Sequence, residues 1–279
     1  MAELKIISMD EVPVEEVEWL WYPYIPFGKL TIIHGDGGEG KTTLILRLAA
    51  LLSRGEKLPC DSTEREPIKV IYQTAEDGLG DTIKPRLLAG NADCSQIKVI
   101  DESEASLTML DERIEKAIVE TGARALILDP VQAYIGAKVD MNRANEVRAV
   151  LSQLGRIAGQ YRCAIILVGH LNKAQGNKSN YRGLGSIDFQ ATARSVLIVG
   201  RLKDNPQIRE WCRTSPPLLQ KASRLLLSWT RKTDFDGSVI MIYRRTICSA
   251  VFQERKNPNR RKILSLNIFH RVSIRSRHC

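Results

Sequence analysis

Apolar positions in residues 1–209 fall into two patterns that alternate along the chain. Five runs are continuously apolar and rich in β-branched residues, as in parallel strands that are buried on both faces. These runs are residues 29–33, 68–73, 125–128, 163–168 and 195–199. Between them, apolar side chains recur at helical spacing in residues 42–52, 107–121 and 142–161. This alternation predicts an α/β fold in which a mainly parallel β-sheet is flanked by helices.

Composition narrows the class of protein. With 43% hydrophobic and 26% charged residues, the chain is globular rather than disordered. No apolar run approaches the ~18–20 residues of a membrane span, so no membrane partner is expected. The acidic N-terminal region lacks the apolar core of a signal peptide, which predicts a cytoplasmic protein. The six cysteines form no CxxC pair, which argues against a disulfide framework or a zinc site.

The formal net charge of +9 is unevenly distributed. Residues 1–209 contain 26 Lys and Arg against 28 Asp and Glu, whereas residues 210–279 contain 15 against 4. The basic excess, and with it the pI of about 9.3, therefore comes from the last quarter of the chain. A basic chain favours a nucleic-acid partner, but for residues 1–209 that argument has to come from local features.

A phosphate-binding motif follows the first predicted strand. Ligands of parallel sheets bind at the carboxyl ends of the strands, and here the chain matches GxxxxGK[ST]. The predicted nucleotide-binding residues are Gly35, Asp36, Gly37, Gly38, Glu39, Gly40, Lys41, Thr42 and Thr43. The glycines let backbone N–H groups surround a phosphate, and the start of a helix adds partial positive charge. Lys41 is expected to reach the β- and γ-phosphates and Thr42 to bind Mg²⁺, so ATP and Mg²⁺ are the predicted ligands.

Acidic residues follow the second and third predicted strands. Asp129 ends an apolar run, where a carboxylate serves as a partner of Mg²⁺. Because Pro130 comes next, no Glu stands beside Asp129 to act on the attacking water. Glu76, after the second strand, is therefore the predicted catalytic base, and Asp77 is the second choice. The alternative for Glu76 is a solvated acidic helix start.

Polar residues also follow the fourth and fifth predicted strands. His170 is placed where a side chain senses the γ-phosphate and relays its loss, although a buried structural histidine is the alternative. Arg201 and Lys203 are spaced i, i+2 and so share one side of an extended segment. They are candidates for reaching the γ-phosphate of a neighbouring subunit, and a surface hairpin is the alternative.

Two loops carry the features of a surface for single-stranded nucleic acid. Residues 132–148 include Lys138, Arg143 and Arg148. Residues 173–185 are polar and glycine-containing, with basic and aromatic side chains at Lys173, Lys178, Tyr181 and Arg182. Such loops bind strands through phosphate contacts and base stacking, whereas the alternative is an ordinary solvated loop.

The motifs GDGGEGKTT, QTAEDG, ALILDP, VGHLNK, YRGLGSIDFQATARSV and VGRLKD occur in this order within residues 17–207. With them the chain resembles the RecA-like P-loop ATPases. Within that class it looks most like the hexameric RepA/DnaB-type helicase-like group, in the branch of AAA family ATPases found on phages and mobile elements. The resemblance implies a RecA-like P-loop NTPase core and ATP hydrolysis at the interfaces of a homo-oligomeric ring or filament. It also implies single-stranded DNA as the partner.

The resemblance assigns roles to matching positions. Lys41 and Thr42 match the nucleotide and Mg²⁺ ligands, Glu76 the catalytic glutamate, and Asp129 the second acidic motif. His170 matches the γ-phosphate sensor, and the pair Arg201/Lys203 resembles the residues that act on a neighbouring subunit, with Arg182 as a competing candidate. The expected function is a replicative helicase or helicase-like protein. The alternatives are a nucleotide-switched DNA-binding or recombination ATPase that does not unwind, and a signalling ATPase without DNA.

The regions on either side of the predicted ATPase domain, residues 29–209, are of different kinds. Residues 1–28 contain the aromatic stretch WLWYPYIP, which either latches onto a neighbouring subunit or covers the domain's own core. Residues 210–279 form a basic tail of weak periodicity, for which irregular or poorly ordered structure is expected. The net charge, the periodicity of apolar residues and the resemblance to the ATPase family all change near Arg209.

The loss of one base near codon 209 is the hypothesis that accounts for this simultaneous change. In the shifted frame, permitted synonymous codons let residues 214–230 read KSSLAPEGKPxAFELD and residues 233–249 read GFRWIGDYDLSADDLL. Both strings have the strand and turn patterns of a folded domain. The hypothesis is that residues 210–279 are frameshifted and not a native domain, which re-sequencing of codons 200–215 tests. The alternative is a native basic extension that binds DNA.

Overall fold

A computed structural model describes residues 4–136, 139–140, 143–170, 191–202, 205–213, 223–230 and 240–247. The strands are β1 (Trp19–Trp21), β2 (Ile25–Pro26), β3 (Leu30–Gly35), β4 (Val70–Thr74), β5 (Ile97–Lys98), β6 (Ala125–Asp129), β7 (Ala164–His170), β8 (Ser195–Leu202), β9 (Asn205–Arg213), β10 (Ser223–Thr230) and β11 (Ile240–Ile247). The α-helices are α1 (Lys41–Ser53), α2 (Lys84–Ala89), α3 (Glu112–Thr121) and α4 (Ala144–Tyr161).

One large sheet contains all the strands except β1 and β2. Its order is β11-β10-β9-β8-β3-β7-β6-β4-β5, and the part from β8 to β5 is entirely parallel. The predicted α/β fold with a mainly parallel sheet flanked by helices is therefore confirmed. Because β3 lies inside this parallel part, the loop that follows it has strand ends on both sides.

The strands of the parallel part are buried on both faces, which explains their continuous apolar runs. In β3, for example, Ile33 packs into the core that contains Leu44 of α1, and Ile32 packs into the core that contains Leu154 of α4. Successive side chains of a strand point to opposite faces, so each strand serves both cores. Helices α1 and α2 cover one face, here called the α1 face, and α3 and α4 cover the other, the α4 face.

The N-terminal aromatic stretch packs on the chain's own core. Strands β1 and β2 pair antiparallel, and the buried side chains of Trp21 and Tyr24 join the core of the α1 face. The indole nitrogen of Trp21 donates a hydrogen bond to the carbonyl of Pro59 at 3.0 Å. The side chain of Tyr22 is 42% exposed. The buried residues of this stretch therefore cover the core of their own chain, which is one of the two alternatives.

Antiparallel strands extend the sheet beyond β8. Strand β9 pairs with β8 so that Trp211 lies opposite Val199, and the fully buried Trp211 ring packs 5.0 Å from that of Trp21. Within the predicted irregular tail, the structure describes residues 210–213, 223–230 and 240–247, and these form extended antiparallel strands. The remaining tail residues lie outside the described part of the chain.

Helix α3 differs from its predicted bounds, since it begins at Glu112 and not at residue 107. Asp111 caps it by accepting a hydrogen bond from the backbone N–H of Arg113 at 2.9 Å. The apolar residues Leu107 and Met109 are buried in the preceding loop, where the backbone N–H of Met109 donates to the carbonyl of Tyr134 at 2.6 Å. The apolar residues of this buried loop therefore happened to match the spacing expected of a helix. In the part of the chain that the structure describes, every helix is too short or too polar to cross a membrane.

Candidate nucleotide-binding site

The predicted phosphate loop connects the end of β3 to the start of α1. Gly38 and Gly40 have φ angles of +76° and +85°, a left-handed conformation that glycine adopts without the strain of a side chain. A Cβ atom on Gly35 would lie 2.2 Å from the carbonyl oxygen of Val199 in β8. Glycine is therefore needed at the apex for its conformation and at the base for close packing. The loop leads directly into the N-terminus of α1, which favours bound anions.

The ammonium group of Lys41 lies across this loop. It donates hydrogen bonds of 2.8 Å to the carbonyls of Gly35 and Asp36. Burial lowers the pKa of Lys41, and nearby carboxylates oppose that shift, first Asp129 and then Asp36. A phosphate oxygen is a stronger acceptor for an ammonium group than a neutral carbonyl. The position of Lys41 thus suits an exchange of these carbonyls for phosphate.

Asp129 lies buried at the end of β6, on the same side as the head of α1. Burial raises the pKa of Asp129, hydrogen bonds from Thr42 and Tyr72 lower it, Glu76 raises it, and Lys41 lowers it. The Tyr72 hydroxyl donates to Oδ2 at 3.1 Å. A buried carboxylate beside a hydroxyl is an oxygen donor set that Mg²⁺ prefers. Thr42 and Asp129, the two predicted metal ligands, are thus brought together and fit this ion.

Glu76 and Asp77 follow β4, the neighbour of β6. Glu76 is exposed, and it lies near enough for its charge to raise the pKa of both Lys41 and Asp129. Asp77 forms an ion pair with Arg86 at 3.1 Å. Because its charge acts on both Lys41 and Asp129, Glu76 is the better placed of the two candidate bases.

Arg201 of β8 contacts the phosphate loop of its own chain. Its Nη2 donates to the carbonyl of Gly38 at 3.0 Å, and its Nε lies 3.2 Å from Oε1 of Glu39. Its predicted companion Lys203 lies outside the described residues. His170 ends β7 in register with Gly35, and the structure describes only its backbone.

The predicted nucleic-acid residues are largely beyond the described part of the chain. Lys173, Lys178, Tyr181 and Arg182 lie there, as does Lys138 of the other loop. Arg143 is described, and its exposed guanidinium lies 3.6 Å from a carboxylate oxygen of Asp140 and 3.3 Å from one of Glu146. The role of these loops in nucleic-acid binding stays a prediction.

Two side chains near the site had no signal in the sequence. Tyr72 pairs with Asp129 only because β4 and β6 are adjacent, and strand order is not written in the motifs. His34, next to the loop, is 1% exposed, and neither ring nitrogen has a hydrogen-bond partner among the residues that the structure describes. Burial, and then the charge of Lys41, lower the pKa of His34 to about 4, so its imidazole is neutral.

A family model described as "AAA domain" matches residues 3–176. Among solved structures, the fold is similar to the "ATPase Domain of G40P", with a TM-score of 0.56 and 15% identity over 76% of this chain and 84% of that one. A likeness at this identity shows the fold, and the predicted RecA-like fold is confirmed.

The chain is also similar to curated proteins named DNA repair protein RadA. The protein from Helicobacter pylori (strain J99) is 28% identical over 149 residues, which are 52% of this chain and 29% of the relative. The one from Halalkalibacterium halodurans is 30% identical over 149 residues, 52% of this chain and 28% of the relative. The match thus spans less than a third of the length of these relatives.

Proposed function

This chain belongs to the AAA domain family, and we propose that it is a Mg²⁺-dependent ATPase that works as a motor on single-stranded DNA. A replicative helicase or helicase-like protein of a mobile element is the form of motor that we infer. The observation that carries the proposal is the convergence of Lys41, Thr42, Asp129 and Glu76 beyond the carboxyl ends of three strands of the parallel sheet, β3, β6 and β4. A cytoplasmic location and a homo-oligomeric ring, such as a hexamer, belong to the same proposal.

Each of these side chains has a task in the proposed reaction. Lys41 binds phosphate oxygens of ATP in place of the carbonyls that it now contacts. Thr42 and Asp129 hold Mg²⁺, which neutralises phosphate charge when bound. Glu76 orients the attacking water and accepts its proton. His170 senses the γ-phosphate, and a basic residue completes the site of a neighbouring subunit, for which Arg182 and the pair Arg201/Lys203 are competing candidates.

The proposed DNA contacts rest on the two basic loops and on the names of the RadA relatives. Lys173, Lys178, Tyr181 and Arg182 would bind the backbone and stack on bases. ATP hydrolysis would then move these loops along the strand. The near-neutral charge of residues 1–209 means that local loops, and not the whole surface, attract the DNA.

ATPase activity with and without single-stranded DNA tests the proposal. We expect DNA to stimulate the wild-type chain, and Lys41→Ala to abolish turnover. Lys69→Ala, which removes an exposed lysine just before β4, is the matched control and should keep full activity. Turnover by Lys41→Ala would refute the site, and ATPase activity indifferent to DNA would favour the signalling alternative.

A nucleotide-switched DNA-binding ATPase that does not unwind is the second candidate. The similarity to proteins named for DNA repair favours it. A strand-displacement assay separates the two candidates, because only the helicase releases the displaced strand when ATP is added. DNA binding that depends on ATP, without displacement, would establish the second candidate.

A further inference from the structure

We propose that Arg201 is a positioning residue of its own chain's phosphate loop, which it holds in cis by contacting Gly38 and Glu39. This inference rests on the proposed nucleotide site and assigns a different role from that of a residue reaching into a neighbour. Its guanidinium makes two contacts with the loop apex, at 3.0 Å to the Gly38 carbonyl and 3.2 Å to Glu39.

The packing of β8 against the loop makes this contact part of the site's architecture. At the loop base, the space for a Cβ on Gly35 is taken by the carbonyl of Val199. Two residues further along the same strand, Arg201 reaches the apex. Strand β8 therefore contacts both ends of the loop, so its position and that of the loop are set together.

The contact of Arg201 with Glu39 also reduces electrostatic repulsion at the phosphate loop. The loop carries two carboxylates, Asp36 and Glu39, in a place that must receive phosphate, and like charges at close range repel. The side chain of Glu39 is only 15% exposed, so solvent screens it little. The guanidinium of Arg201 partly offsets the charge of this carboxylate. The pair is partly open to water, because the Arg201 side chain is 47% exposed, so its effect is moderate.

The hydrogen bond to Gly38 fixes the orientation of one peptide group. In a trans peptide the C=O and the following N–H point in opposite directions. Because Arg201 holds the Gly38 carbonyl, the N–H of Glu39 is directed across the loop, where it donates to the carbonyl of Asp36 at 3.4 Å. That bond is long, so a phosphate oxygen can replace it readily.

Nucleotide binding by full-length chains tests the role in cis. Equilibrium binding of a fluorescent Mg²⁺–ADP analogue is measured at a protein concentration where the chain is monomeric. We expect Arg201→Ala to weaken binding roughly tenfold, because a charged hydrogen bond to the loop is lost. Arg201→Lys keeps the charge but not the two-pronged geometry, and should restore about half of that loss on a logarithmic scale. Arg194→Ala, before the opposite end of β8, is the matched control and should bind as wild type.

A mixing experiment separates cis from trans. The assay uses an ATP concentration far below the dissociation constant of Arg201→Ala, at which neither variant alone turns over appreciably. If Arg201 acted on its neighbour, an assembly of Arg201→Ala and Lys41→Ala chains would regain turnover, because the second chain would supply the missing residue. We expect no return, since no chain then carries both residues. Recovered turnover, or wild-type binding by Arg201→Ala, would overturn the inference. Wild-type binding by Lys41→Ala would instead refute the nucleotide site itself, whatever Arg201 does.

Discussion

On the α1 face of the sheet, near the ends of β4 and β6, the buried Tyr72 donates a hydrogen bond to the buried carboxylate of Asp129. On the α4 face, the imidazole of His34 is buried without a hydrogen-bond partner in the structure. Asp129 and His34 thus lie on opposite faces of the same sheet. The carboxylate of Asp129 is thus stabilised by a hydrogen bond, whereas the imidazole of His34 is buried in its neutral form.

The difference follows from what burial costs. A buried charge is strongly unfavourable unless it is paired, so Lys41 and Asp129 occur together with hydrogen-bonding neighbours. A buried histidine avoids this cost without a partner, because it can lose its proton and become neutral. The lowered pKa of His34 is that solution. The mutually interacting charges of Lys41 and Asp129 thus mark the α1 face as the side that receives a charged ligand.

The largest effect is expected from Glu76→Gln, which tests whether the α1 face performs chemistry as well as binding. Removing the base should lower ATP turnover by about 100- to 1,000-fold while nucleotide binding persists. Asp77→Asn is the comparison, because Asp77 is held by Arg86. Single-turnover ATPase measurements on both variants show which residue is the base. A larger loss of turnover for Asp77→Asn would assign that role to Asp77 instead of Glu76.

Trp211→Ala tests how much of the α1 face depends on the antiparallel strand β9. The buried ring packs against Trp21 and Tyr24, so its removal should lower the free energy of unfolding by about 3–5 kcal/mol. Urea denaturation measures the change. Trp211→Phe should cost clearly less, because it keeps a ring and removes an indole N–H that has no hydrogen-bond partner in the structure. Equal losses would mean that the ring packing is unimportant.

His34→Leu tests the neutral solution on the α4 face. In the unfolded chain this imidazole takes up a proton near pH 6.5, but in the folded chain only near pH 4. The free energy of unfolding therefore falls as the pH falls through this window. Between pH 7 and pH 5, the free energy of unfolding should fall by about 2 kcal/mol less in the variant than in the wild type. Urea denaturation at both pH values measures this difference. An unchanged difference between the two pH values would contradict a neutral buried His34.

Tyr72→Phe is expected to have the smallest effect. The hydroxyl supports the ionised form of Asp129, so its loss should raise the pKa of that carboxyl further. We expect the Mg²⁺ concentration for half-maximal turnover to rise about threefold to tenfold, in line with about 1 kcal/mol for one hydrogen bond. A Mg²⁺ titration of both chains measures this. No change would show that Tyr72 is a packing residue only.

Much of the fold could be predicted because the parallel strands are buried on both faces and end in motif residues. The order of those strands could not, since it depends on which cores pack together. For the same reason the motifs placed Asp129 at the site but gave no sign of Tyr72 beside it. Arg201 was a candidate from its position after the fifth predicted strand, but its contact with Glu39 depends on β8 lying next to β3.

The buried ring of Trp211 has a consequence for the DNA that encodes the chain. Arg209 marks the point where resemblance stops, yet two residues later an indole fills the core beside Trp21. A codon read in the wrong frame would specify such a fitting side chain only by coincidence. If a base is missing, we infer that it was lost downstream of codon 211. The sequencing read should therefore be centred on the nucleotides just after that codon.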